Sequence, residues 1–158
     1  MRNSVHTLPE SWEVRTLAEL TSKPQYGFTT KASSSGTLKL IRTSDITSSV
    51  FDWASVPYCA ENPEKPEKYV VRDGDILISR AGSVGVSHLV KRDAQAVFAS
   101  YLIRFQPRIN PEYIYWFTKS PKYWKQIADS ADGITVQNVN AKKLSRLQIP
   151  VPPENEQR

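Results

Sequence analysis

The sequence is poor in the groups that do most covalent chemistry. Its one cysteine is Cys59, and its two histidines are His6 and His88. A single cysteine excludes an internal disulfide, and no Cys/His spacing suggests a zinc site. A Ser/His/Asp triad can be assembled only by free choice among the serines, which carries no weight. There is no phosphate-cradling lysine motif and no dinucleotide fingerprint. The glycines of "AGSVG", Ala81 to Gly85, lead into a strand pattern, whereas a phosphate loop leads into a helix. The carboxylates of "ENPEKPEK", Glu61 to Lys68, lack the flanking strands that would hold them at metal-binding geometry. No catalytic residue, metal ligand or cofactor is therefore expected, and a small hydrolase is the weakest of the readings open. No apolar run approaches the roughly 18 residues of a membrane helix. A lone cysteine and no signal peptide point to a reducing, cytoplasmic setting.

What is present is positive charge and aromatic surface. The 158 residues carry a formal net charge of +5 and a pI of about 9.3. Such a balance favours an acidic partner such as nucleic acid. The basic surplus sits towards the two ends of the sequence, and the middle is near neutral. Four Trp and seven Tyr can fill much of a core or an interface. The length suits one domain with its own core.

Read along the chain, residues 1–10 form a flexible lead. "WEVRTLAEL", Trp12 to Leu20, is a short strand followed by a helical turn. Thr21 to Gly36 is rich in turn formers and hydroxyls and reads as a long loop. "LKLIRTSDI", Leu38 to Ile46, alternates as a strand with Arg42, Thr43 and Ser44 at its exit. Asn62 to Val71 is a charged, proline-broken connection. "GDILISRAGSVG", Gly74 to Gly85, is a buried strand that delivers Ser79 and Arg80 into a glycine turn. Val86–Val90 and Ala96–Pro107 read as further strands, so Gly82–Gly85 turns a hairpin. Apolar residues at helical spacing after Pro111 and Pro121 predict two short helices ending at Gly133. A helical turn at 140–145 and a strand at 146–151 follow. "PENEQR" from Pro153 reads as a helix start, truncated at 158.

Four polar, small-residue loops then stand out at strand ends: 25–32, 42–45, 79–85 and 132–140. They carry Tyr26, Thr29, Thr30, Lys31, Arg42, Thr43, Ser44, Ser79, Arg80, Ser83, Gln137, Asn138 and Asn140. Arg pairs bidentately with guanine, Asn or Gln with adenine, and hydroxyls and Lys grip phosphates. Each residue also has a structural role open to it. Arg80 can pair with Asp75 or Asp73, and Tyr26 can pack under its loop. Lys31 can be a solvated charge, while Gln137, Asn138 and Asn140 can cap a turn and the next helix.

The order "LPESWEVRTLAEL", "YGFTTKA", "LIRTSDI", "YVVRDGDILISRAGSVG", "ASYLIRFQP" and "DGITVQNVNAKKLSRLQIPVPPENEQR" resembles a single target recognition domain of a type I restriction-modification specificity subunit. The resemblance spans residues 8–158. It implies a mixed α/β fold with a curved, mostly antiparallel sheet and a few short helices to one side. It implies sequence-specific binding of double-stranded DNA at one half of a bipartite site, without catalysis by the domain itself. The implied partners are methyltransferase subunits using S-adenosylmethionine, the restriction subunit indirectly, and a second recognition domain or a second copy in a homodimer. The chain departs from the family in having one such domain and no connecting helices. The alternative reading is an interaction module that docks on a methyltransferase or on another specificity domain. Exposure of Trp116 or Trp124 would favour it, and burial would weaken it.

Overall fold

The computed structural model describes residues 7–130 and 138–157. The first elements are as the sequence predicts. β1 (Glu13–Thr16) runs straight into the single turn α1 (Leu17–Leu20), where the Thr16 side chain accepts from the Glu19 N–H. The expected loop after it contains two brief strands, β2 (Gln25–Tyr26) and β3 (Ala32–Ser33). β4 (Lys39–Ile41) is shorter than the alternation suggests, because α2 (Thr43–Thr47) begins at once. The cause is Asp45, whose carboxylate accepts the Arg42 backbone N–H at 2.8 Å and caps the helix start.

β5 (Tyr58–Cys59) and the charged connection lead to β6 (Ile76–Ser79), which forms a hairpin with β7 (Ser87–Leu89). The apolar run read as one strand is two: β8 (Ala96–Phe98) and β9 (Leu102–Phe105), separated by a turn at 99–101. α3 (Pro111–Phe117) and α4 (Pro121–Asp129) each begin on the predicted proline, behind side-chain caps from Asn110 and Ser120. α5 (Ala141–Ser145) and β10 (Gln148–Val151) complete the elements, followed by a 3-10 turn at Glu154–Glu156 where a helix start is expected.

Among the described residues the strands form three sheets. β1 pairs with β10, the second sheet has the order β2-β9-β6-β7, and the third β3-β5-β4-β8. All pairings are antiparallel except β4 with β8. The fold is thus mixed α/β and mostly antiparallel. β6 and β9 are buried along their whole length. Their alternate residues serve two cores. Ile76, Ile78, Ile103 and Phe105 pack with α1, α3, α4 and α5, whereas Leu77 and Leu102 pack with Ile41, Phe98 and Ile46 beneath the third sheet. A period of two turns each side chain to the opposite face of its neighbour, so one strand joins both layers. No helix among the described residues is long and apolar enough to cross a membrane.

Candidate functional site

The register brings one end of several strands to a common edge. Tyr26 of β2 pairs with Ile103, and Ser79 of β6 pairs with Leu102. The chain therefore leaves β2 and β6 beside the start of β9. β4 and β8 run parallel and end together at Ile41 and Phe98. The turn at 99–101 joins the two sheets there. Ala99 donates its N–H to Ile41 O (2.9 Å) and bridges Phe28, and Arg80 donates its N–H to Tyr101 O (2.9 Å). Three of the four predicted loops thus meet on one turn. The fourth arrives through its end: Ala81 bridges Asn138, and Val139 donates its N–H to Arg80 O (2.9 Å).

Arg80 is at the centre of this edge. Its Nε donates to Ser100 O at 2.8 Å. Its guanidinium carbon lies 5.3 Å from the centre of the Tyr26 ring and 5.7 Å from that of Tyr101. Neither carboxylate offered as an ion-pair partner reaches it. Asp75 is buried against Arg104 at 3.3 Å, and the Asp73 backbone N–H is held by Asp93. Arg80 has no carboxylate partner among the described residues. Tyr26 is 43% exposed and Tyr101 58%. The Tyr26 hydroxyl accepts the Ala141 N–H at 3.0 Å, tying β2 to α5.

The other predicted residues divide. Thr29, Lys31, Ser44, Ser83 and Asn138 are exposed, Thr29 next in sequence to the Phe28 bridge and Asn138 at the Ala81 bridge. Thr30 is half-buried, its hydroxyl accepting the Glu61 N–H at 3.2 Å. Ser79 is fully buried; its hydroxyl donates to Ser83 O and accepts the Val86 N–H, so it shapes the hairpin and does not face outward. Arg42 is held by Asp45 through both Nε and Nη2 at 3.1 Å, and the pair raises its pKa. The Thr43 hydroxyl is buried with no hydrogen-bond partner among the described residues. Asn140 takes its structural role, capping α5 by accepting the Lys143 N–H at 2.8 Å. Gln137 lies outside the described residues.

Sequence reasoning missed Ser100 and Tyr101, which it placed inside a strand. The available signal was length. A run from Ala96 to Pro107 is about twice a usual strand, and Ala-Ser-Tyr interrupts it without a glycine or proline.

A second feature lies at the outer edge strand. A cleft of about 590 Å³ is lined by Phe51, Trp53, His88, Lys91, Arg92 and Trp116, among others. Phe51 stacks on His88 at 4.2 Å, and Arg92 sits 4.9 Å from the Trp53 ring centre. Trp116 is 65% exposed, and Trp124 is 40% exposed. Burial, reinforced by Lys119 and Lys91, lowers the His88 pKa to about 4. No group of three or more His, Cys, Asp or Glu side chains among the described residues can hold a metal ion.

A family model described as "Type I restriction modification DNA specificity domain" matches residues 9–158. The chain is 25% identical to the StySPI type I specificity subunit of Salmonella potsdam, over 96% of this chain and 35% of that protein. It is also 25% identical to the EcoKI specificity subunit of Escherichia coli K12, over 98% of this chain and 36% of that protein. The chain therefore spans about a third of the length of these relatives. Among solved structures, the HsdS subunit from Thermoanaerobacter tengcongensis shares the fold with a TM-score of 0.68 at 21% identity, over 99% of this chain and 37% of that one. A chain from a study of complex assembly and conformational transition in the type I R-M system matches with a TM-score of 0.71 at 20% identity, over 99% of this chain and 38% of that one.

Proposed function

Because this chain belongs to the family of type I restriction-modification DNA specificity domains, we propose that it binds double-stranded DNA sequence-specifically through the edge centred on Arg80. It reads one half of a bipartite target and brings methyltransferase subunits, and indirectly the restriction subunit, to that site. The domain supplies recognition, and its partners supply the chemistry, in the cytoplasm. The observation that carries this reading is the convergence of separate polar loops on the turn at 99–101, with an uncompensated arginine in their midst. Exposed Thr29, Lys31, Ser44, Ser83 and Asn138 surround it with phosphate and base contacts. The test is selection from a randomised duplex pool at several salt concentrations. Binding that weakens with salt and enriches a short motif is expected. Arg80→Ala is expected to cost about 1–3 kcal/mol of binding. Salt-sensitive binding without enrichment would show a phosphate-only contact and remove the base-reading roles.

The exposure of Trp116 favours a second, compatible role. The aromatic, cationic cleft beside β7 docks a methyltransferase subunit. His88 and Leu89 pair with Leu77 and Ile76, at the end of β6 away from Arg80, so the two surfaces are separate. Trp116→Ala is expected to weaken co-elution with purified methyltransferase subunits about tenfold or more while DNA selection is unchanged. Loss of DNA selection with intact co-elution would assign Trp116 to the DNA face instead.

A further inference from the structure

We propose that Arg80 reads a guanine from the major groove, its guanidinium held for that purpose by Ser100 O and beside the rings of Tyr26 and Tyr101. The proposal rests on duplex reading by this edge and goes beyond it by naming the residue and the base.

The backbone of Arg80 is pinned on both sides, by Tyr101 O and by the Val139 N–H. Its side chain is fixed in turn. The Nε–H is committed to Ser100 O at 2.8 Å, and the two rings stand 5.3 and 5.7 Å from the guanidinium carbon. A guanidinium is planar, so fixing Nε and the rings fixes the direction of the two terminal nitrogens. Those nitrogens have no hydrogen-bond acceptor among the described residues. What remains is a forked donor of set direction beside a loop of little bulk. A Cβ added at Gly82 would meet nothing within 4 Å, so a large partner can come close.

A fork of two parallel N–H groups matches two acceptors side by side. In the major groove only guanine presents that pair, O6 and N7. Adenine sets an amino donor beside its N7, cytosine offers an amino donor, and thymine offers one oxygen beside a methyl group. Phosphate also accepts a fork, but a phosphate contact needs only charge and reach, which exposed Lys31 on its flexible stem already supplies. Clamping an arginine lowers the entropy lost when it pairs in one geometry, which matters for a base edge.

The test compares the wild-type chain with Arg80→Ala, Arg80→Lys and Tyr101→Leu, each first shown to melt like wild type. The wild-type motif is expected to contain a guanine whose replacement by 7-deazaguanine lowers affinity about tenfold. Arg80→Ala should lower affinity for the guanine site about 10- to 100-fold and barely affect sites with another base there. Arg80→Lys should keep much of the salt dependence and lose the preference. Tyr101→Leu should weaken the preference without removing the charge. Equal loss on every sequence would make Arg80 a phosphate contact and overturn the assignment, as would a guanine preference that survives Arg80→Ala. Failure of the wild-type chain to enrich any motif would instead sink duplex reading itself, and this assignment with it.

Discussion

Two arginines beside aromatic rings have opposite roles, and burial decides between them. Arg104 is 6% exposed, and both terminal nitrogens of its guanidinium are engaged: Nη1 by Asp75 at 3.3 Å and Val70 O at 2.8 Å, Nη2 by Lys68 O at 2.9 Å and the Gln25 side chain. A charge taken out of water persists only with such compensation, so Arg104 is internal architecture, whereas the terminal nitrogens of Arg80 have no acceptor among the described residues. His88 is half-buried, and that burial also has a measurable consequence. Its pKa falls from 6.5 to about 4 in the folded chain, chiefly through desolvation and then through Lys119 and Lys91. The unfolded chain therefore takes up a proton at higher pH than the folded one. The stabilisation is complete above about pH 6.5 and is lost as pH falls towards 4, with at most about 3 kcal/mol at stake. Urea titrations across that window should show wild-type stability falling with acid and His88→Phe falling less. Parallel slopes for the two would mean that His88 is not buried uncharged.

At the scale of elements, close approach of backbones sets the edge. An ideal Cβ at Gly27 would lie 2.0 Å from Ala99 O and 2.5 Å from Phe98 O. β2 can therefore reach the turn at 99–101 only without a side chain there. Gly27→Ala should cost about 1–3 kcal/mol by overpacking and should also weaken DNA binding, because Tyr26 moves with β2. An unchanged urea midpoint would mean that the contact is looser than described. The hairpin is set by the same logic. Gly85 has φ +87° and packs under Trp124 and Ile127, and its carbonyl accepts the Tyr123 hydroxyl at 2.8 Å. "AGSVG" is thus legible as a hairpin because left-handed turns select glycine. The turn at 99–101 was not legible, because Ala, Ser and Tyr carry no such preference, and what bends the chain there is its passage from one sheet to the other.

For the whole molecule, the closing contact is long-range. β1 pairs with β10 along four residues, from Glu13 with Val151 to Thr16 with Gln148. Tyr113 donates its hydroxyl to Pro150 O, Asn110 donates to Gln157 O at 2.9 Å, and Trp12 Nε1 donates to Glu156 at 3.1 Å. Ile149 and Val151 lie in the same core as Leu17 and Ile76. A chain stopped after Leu147 should therefore lose cooperative unfolding, measured by thermal melting with circular dichroism. A truncated chain that melts cooperatively near the wild-type temperature would show β10 to be an addition to a domain already stable without it. Because the proposed DNA edge is assembled from both core layers, its affinity for duplex should fall in step with that loss of order.

The sequence by itself determined the local grammar: helices starting on Pro111 and Pro121, the glycine hairpin and the short α/β elements. These follow from periodicity, capping and backbone preference, which act over a few residues. It also marked the polar loops, though not which members face outward. Only the tertiary structure decided that Ser79 is buried, that Arg42 is occupied by Asp45, and that the rings of Tyr26 and Tyr101 both lie beside the Arg80 guanidinium. Exposure and partnership depend on residues distant in sequence. Arg80 is set by positions 26, 100, 101 and 139, brought together by the register of β2 and β6 on β9 and by the bridge from Ala81 to Asn138. That register follows from packing two apolar layers against both faces of the same strands, a condition that no short stretch of sequence contains.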